Sequence, residues 1–261
     1  MNFVDSTGRK IFLANTPKRI VSLVPSTTEL LIDLGLENYL VGVTKFCTFP
    51  PHIRKDKKVV GGTKNINLAT IKGIQPDIIL CNKEENTKEI VEELSREYAV
   101  HVSEVNNLSD ALDIISEYGK LFDIRERANT LIREIKNIQT TYNTIIDSKK
   151  SIKAAYFIWR KPWMVAGANT FIHHMLKIAG FENTFDYLQR YPEIKLTQIA
   201  EDTEFFLLSS EPFPFRKKHL EELQNIFPKK KIILVDSTYF SWHGSRIRKA
   251  FSYFLELQKK I

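Results

Sequence analysis

Residues 123–149 read DIRERANTLIREIKNIQTTYNTIIDSK. Apolar residues recur at Leu121, Ile124, Ala128, Leu131, Ile135, Ile138, Tyr142 and Ile145. Steps of three and four put them on one face of an α-helix. Charged residues such as Arg125, Arg133, Glu134 and Lys136 fill the other faces. No Gly or Pro falls between Lys120 and Lys161, so the pattern predicts an unbroken helix over 123–149. At about 1.5 Å per residue it would run to roughly 40 Å. A helix of that length near the middle of a chain can serve as a rigid strut between two bodies. The plainer alternative is one more layer helix in a single domain.

Outward from this stretch, strands and helices alternate. On the front side, residues 19–24, 40–44, 59–60, 76–81 and 99–102 read as strands. Helical stretches follow at 26–34, 68–74, 88–97 and 109–118. Ser26 stands three residues before Glu29, the spacing of a capping box, and Gly35 reads as the residue just past that helix. On the back side, residues 152–159, 205–208 and 231–235 read as strands, with 163–165 extending a hairpin. Helical stretches lie at 170–178, 196–200, 217–225 and 245–259. Continuous apolar runs such as RIVSLV and PDIILC are the mark of strands buried on both faces, and alternation with helices argues for parallel sheets. The chain is therefore read as α/β: two Rossmann-like lobes, residues 1–122 and 150–261, joined by one long rigid backbone helix over 123–149.

The two sides resemble each other. Leu34-Gly35-Leu36-Glu37-Asn38 follows the first helix in front, and Ala179-Gly180-Phe181-Glu182-Asn183 follows its counterpart behind. Asn67-Leu68-Ala69-Thr70-Ile71 matches Lys195-Leu196-Thr197-Gln198-Ile199, and PDIILCNKE matches TEFFLLSSE, which sets Glu84 against Glu211. The matches come in the same order on both sides, as in a duplicated unit. Ligands of open parallel sheets bind beyond the carboxyl ends of the strands. A cleft between the lobes is thus the expected binding place. The loops there carry Pro25, Ser26, Thr27, Phe46, Cys47, Gly61 and Gly62 in front, and Trp159, Arg160, Trp163, Trp242 and Arg246 behind. Aromatic faces suit a large flat ligand; ordinary loop packing would use the same residues.

Composition narrows the classes. The net charge of +7 invites a nucleic-acid reading, but its basic clusters are interleaved with acidic runs, as on a solvated face, and no nucleic-acid partner is expected. No run approaches the length of a membrane span. Cys47 and Cys81 make no disulfide framework. No CxxC, HExxH, GxGxxG or P-loop motif occurs, so no catalytic cofactor and no metal-ligating set is expected. Ser26 lacks a GxSxG context, and Cys47 has only His52 near it in sequence. His173 and His174, adjacent on a helix, face different ways. A non-enzyme is expected. The contrasting reading is an intracellular metal-handling protein or enzyme using Cys47, His52 or His173.

Four front segments, RIVSLVPSTTELLIDLGL, LVGVTKFCTFP, VGGTKN and QPDIILCNKEEN, resemble the front lobe of class III substrate-binding proteins of ABC importers. The back segments IWRKPWMVAGANTFIHHMLKIAGFENTF, LLSSEPFPF and FSWHGSR are similar to the corresponding second lobe. The resemblance covers nearly the whole chain, is strongest over 19–103, and is closer to the cobalamin-binding branch than to the siderophore branch. It implies a monomeric receptor for a metal-chelate small molecule. The ligand would be a corrinoid, with a ferric siderophore or haem as the alternative; Arg160 and Arg246 would be the counter-charges for an anionic siderophore. It also implies a permease dimer as partner, docked through Glu84 or Glu85 on one lobe and Glu211 on the other, and a periplasmic or cell-envelope location. If Met1 is the native start, no leader precedes the mature-like region and a cytoplasmic location is expected.

Overall fold

The computed structural model describes residues 2–146 and 152–260. The chain divides into two compact units. The first comprises Met1–Val105, Ser109–Glu134 and His243–Arg246; the second comprises Asn106–Leu108, Ile135–Trp242 and Ile247–Ile261.

The first unit opens on an antiparallel hairpin of β1 (Asn2–Val4) and β2 (Lys10–Phe12). Then come β3 (Ile20–Ser22), α1 (Pro25–Asp33), β4 (Leu40–Val43), α2 (Ile53–Asp56), β5 (Lys58–Val59), α3 (Leu68–Ile74), β6 (Ile78–Asn82), α4 (Lys88–Leu94), β7 (Val100–Ser103) and α5 (Leu108–Leu121). Its sheet has the order β5-β4-β3-β6-β7, with every pairing parallel. Alternate residues Val21 and Leu23, Ile79 and Cys81, Val100 and Val102 build one core. Ile20, Ile78 and Leu80, pointing to the other face, are buried as well, which explains the unbroken apolar runs.

Helix α1 begins otherwise than the Ser26–Glu29 spacing predicts. Pro25 occupies the first turn, Val24 is the N-cap, and no side chain caps the helix. Proline at the first helical position arrives with its φ already set and has no N–H to satisfy. Ser26 therefore lies inside the helix, and Glu29 is used elsewhere. At the other end, Gly35 (φ +76°) takes the left-handed conformation, with Gly35 N–H bonding Ile32 O and Leu36 N–H bonding Leu31 O, a Schellman stop.

The long helix α6 runs over Arg125–Ile146, roughly 33 Å. The expected start at 123 is corrected: Asp123 is left-handed (φ 54°) and separates α6 from α5. A short polar side chain tolerates that conformation, so a break occurs without Gly or Pro. Residues 147–149 of the predicted helix lie outside the described residues. The turns of α6 up to Glu134 group with the first unit and those from Ile135 with the second. In the first unit Arg127 donates to the terminal carbonyls Leu34 O (3.2 Å) and Gly35 O (3.4 Å) beyond α1.

The second unit contains β8 (Ile152–Trp159), β9 (Met164–Val165), α7 (Phe171–Ile178), β10 (Phe181–Asn183), β11 (Phe205–Ser209), α8 (Lys217–Ile226), β12 (Lys231–Val235), α9 (Thr238–Ser241) and α10 (Ile247–Lys259). Its main path is β10-β8-β11-β12, all parallel, with β9 added antiparallel to β8. This is the order of β4-β3-β6-β7 in the first unit, so the matches read in the sequence correspond to a repeated topology. Strand β10, absent from the sequence reading, is the counterpart of β4. The expected helix over 245–259 starts at Ile247 and is preceded by the separate turn α9. The stretch expected as a helix at 196–200 is a 3₁₀ turn, Leu196–Gln198. Helix α7 stops at Gly180 (φ +85°), and Tyr142 of α6 donates its hydroxyl to Ile178 O at 2.8 Å. In each unit, then, a side chain of α6 satisfies a carbonyl at the end of the first helix after the central strand.

Candidate functional site

The residues expected at the site fall into two groups, one in each unit. In the first, the N-terminal turn of α1 meets the β4–α2 loop. Thr28 Oγ1 lies 3.0 Å from Val24 O and 3.1 Å from Cys47 Sγ, and Thr44 Oγ1 lies 3.3 Å from the same sulfur. Cys47 is fully buried, and burial pushes its thiol above the ordinary cysteine value despite these hydrogen bonds. A thiolate is disfavoured there, and the local chemistry is that of a structural thiol. Phe46, by contrast, is exposed; Lys45 Nζ stands 5.1 Å from its ring centre. Gly61 (φ +113°) forms a turn so tight that a Cβ would come 2.5 Å from Asn65 O. A Cβ on Gly62 would come 3.2 Å from the Phe46 ring, so this glycine leaves room for that aromatic.

The segment His243–Arg246 joins this group. Arg246 makes a two-pronged ion pair with Glu29 of α1, Nε to Oε2 at 2.7 Å and Nη2 to Oε1 at 2.8 Å. Its guanidinium also stands 4.2 Å from the centre of the Phe49 ring. Ser26 Oγ and the Nε2 of His243 are 3.5 Å apart. His243 is buried, and burial lowers its pKa to about 4, so the ring is neutral at pH 7. Pro25, Ser26 and Thr27 are all buried.

In the second unit the end of β8 carries an aromatic ladder. Trp159, 38% exposed, meets Phe213 edge-on at 5.5 Å; Phe213 meets Phe215 at 4.8 Å; Phe215 stacks on Trp163 at 6.2 Å. Arg160 lies 5.7 Å from the Trp163 ring and is held by Glu222 of α8, at 2.8 and 2.7 Å. That hydrogen bond keeps Glu222 below the usual carboxylate range. Trp242 is buried, and its indole N–H donates to Glu211 Oε1 at 2.6 Å. Sequence reasoning named Arg160, Arg246 and Trp242 but missed the partners that engage them, Glu222, Glu29 and Glu211 as an indole acceptor, because long-range pairs leave no local pattern. Phe213 and His243 sat inside segments already singled out, EPFPF and SWHG.

Glu84 and Glu211 each stand two residues past the end of a central strand, β6 and β11. Glu84 N–H bonds the Asn82 carboxamide at 2.9 Å. Glu84, Glu85 and Glu211 are all half-buried. Of the histidines named for the metal-handling reading, His173 is half-buried in α7 with Nδ1 3.2 Å from Asn183 Nδ2. His52 pairs with Glu37 at 2.9 Å rather than with Cys47. Among the described residues no helix is long and apolar enough to cross a membrane.

The family described as "Periplasmic binding protein" matches residues 20–225, well over half of the chain. The protein belongs to that family. It is 29% identical over 192 residues to an ABC transporter substrate-binding lipoprotein of Bacillus subtilis, a match covering 69% of this chain and 59% of the relative. It is 22% identical over 190 residues to a vitamin B12-binding protein of Vibrio parahaemolyticus, covering 72% of this chain and 69% of the relative. Among solved structures, a periplasmic haem-binding protein from Roseiflexus shares the fold with a TM-score of 0.77 at 18% identity, over 93% of this chain and 98% of the other.

Proposed function

We propose that this chain is the substrate-binding component of an ABC importer of the cell envelope, and that it takes an uncharged, corrinoid-like metal chelate. The observation that carries the choice of ligand is the state of Arg160 and Arg246. An anionic siderophore, or the two propionates of haem, would call for free guanidinium groups. Both arginines already hold a carboxylate in two-pronged geometry; dissolving the buried Glu29–Arg246 pair would strand a desolvated charge, whereas the Arg160–Glu222 pair is partly exposed and resists less. Among the residues expected to hold the ligand, the exposed side chains are the aromatic Phe46 and Trp159, with Lys45 and Lys161 exposed beside them. Such surface suits the flat face of a macrocycle, and the similarity to a vitamin B12-binding protein supports the same reading.

Glu84 and Glu211, at equivalent places in the repeated topology, are the carboxylates proposed to meet the permease dimer, with Glu85 beside the first. Holding the ligand requires no chemistry from the chain: Cys47 is buried as a thiol and the Ser26–His243 separation is at the limit of a hydrogen bond. Calorimetric titration with cyanocobalamin, beside haem and a ferric hydroxamate, tests the reading. Saturable one-site binding of cyanocobalamin, weakened in Trp159→Ala, is expected. Tight binding of haem with none of cyanocobalamin would overturn the ligand choice.

A further inference from the structure

At the far end of the β4–α2 loop, three side chains of the first unit converge. Glu37 opens a 3₁₀ turn, Glu37–Tyr39, just before β4. His52 is the residue before α2, and Asp56 is the last residue of α2. One ligand atom from each lies within 4.8 Å of the other two. His52 and Asp56 are four residues apart, so they share one face of a helical turn. The turn is anchored: Ile53 is fully buried, and His52 O accepts from Lys55 N–H at 2.8 Å and Asp56 N–H at 3.2 Å.

The carboxylates are the informative part. Asp56 makes no ion pair or side-chain hydrogen bond among the described residues, although Lys55, Lys57 and Lys58 flank it in sequence. Glu37 turns to His52 at 2.9 Å. Two carboxylates are thus gathered around one imidazole while Lys55 and Lys58 are left to solvent. We infer that Glu37, His52 and Asp56 form a binding site for a divalent transition-metal ion, of which Zn²⁺ is the best match. One nitrogen and two oxygen donors suit that ion, with distances of about 2.0–2.2 Å and a water at the remaining position. Around such a centre the donor atoms lie roughly 3.4 Å apart. Glu37, half-buried, and Asp56, exposed, reach that arrangement by side-chain rotation. Mg²⁺ and Ca²⁺, which prefer all-oxygen shells, fit poorly because of the imidazole.

The ion would tie the turn before β4 to α2. Residues 44–52 between those elements carry Phe46, Cys47 and Phe49, so the metal would restrain that loop from its far end. The site does not depend on which chelate the protein carries.

The test is titration of the chelator-stripped full chain with ZnCl₂ alone, by calorimetry and by thermal melting, on the wild type, His52→Ala and Asp56→Asn. One Zn²⁺ per chain is expected, with a higher melting midpoint. The variants should fold as the wild type does, because the substituted side chains are exposed, but bind at least tenfold more weakly in Asp56→Asn and without a one-site isotherm in His52→Ala. Absence of one-site Zn²⁺ binding at 1:1 stoichiometry in the wild type would overturn the proposal. Equal binding in His52→Ala would overturn it too, by moving the ion to other histidines.

Discussion

Glu29 and Arg246 face each other at 2.7 and 2.8 Å although 217 residues separate them in sequence. Both side chains are at least nine-tenths buried. Removing one partner from such a pair leaves an uncompensated buried charge, which costs about 3–5 kcal/mol. Arg246→Met and Glu29→Gln should each lower stability by that order in urea unfolding. The double substitution Glu29→Leu with Arg246→Met should recover a large part of the loss, since it buries no charge. A double-mutant cycle in which the two losses simply add would show that the pair is not coupled.

His243 gives the protein a pH dependence of defined sign. Its pKa is lowered by burial to about 4, from an unfolded value near 6.5. Below pH 6.5 the unfolded chain binds a proton that the native state refuses, so stability falls as pH drops from about 6.5 to about 4. One such group contributes roughly 3 kcal/mol across that window. The lowered values of His173 and His219, both also pushed down by burial, act in the same direction. Stability measured in urea at pH 7, 6, 5 and 4 should decline steadily. In His243→Gln the decline should be distinctly shallower; an unchanged slope would place the effect elsewhere.

Much of the architecture could be read from the chain because it is written in local periodicity. The apolar runs of β3, β6 and β11, the glycine stops after α1 and α7, and the stripe of α6 are all short-range patterns. What escaped was decided by tertiary contact or by a single residue's backbone. Pro25 displaced Ser26 from the cap because it sits one residue earlier and already has helical φ. Asp123 broke the helix by a left-handed φ that charged-residue periodicity does not reveal. At the site, residue types were legible and commitments were not. Arg160 and Arg246 read as free counter-charges until Glu222 and Glu29 are seen to hold them.

Cys47 should behave as an inert thiol. It is fully buried, accepts contacts from Thr28 and Thr44, and is held above the ordinary cysteine pKa mainly by burial. Cys81 is buried as well, its pKa pushed up to about 12 by burial. Labelling with a chromogenic disulfide reagent at pH 8 should be slow in native protein and limited by opening of the structure, then rapid for both thiols in 6 M guanidinium. Fast native labelling of one thiol would contradict the burial and reopen a reactive role for Cys47.

Two tryptophans expected to serve one ligand should respond differently to substitution. Trp159 is 38% exposed and touches Phe213 through one ring edge. Trp159→Ala should leave the melting midpoint nearly unchanged while weakening cyanocobalamin binding about tenfold, the loss of a stacking face. Trp242 is buried, and its N–H donates to a carboxylate at 2.6 Å. Trp242→Phe keeps most of the packing but removes that hydrogen bond to a charged group, which contributes about 1.5–3 kcal/mol. It should therefore destabilise the fold and release the Glu211 side chain, with any loss of ligand binding secondary. Melting and calorimetry on the same two variants separate the roles. If Trp242→Phe melts like the wild type but no longer binds, Trp242 contacts the ligand directly and the hydrogen bond to Glu211 is incidental.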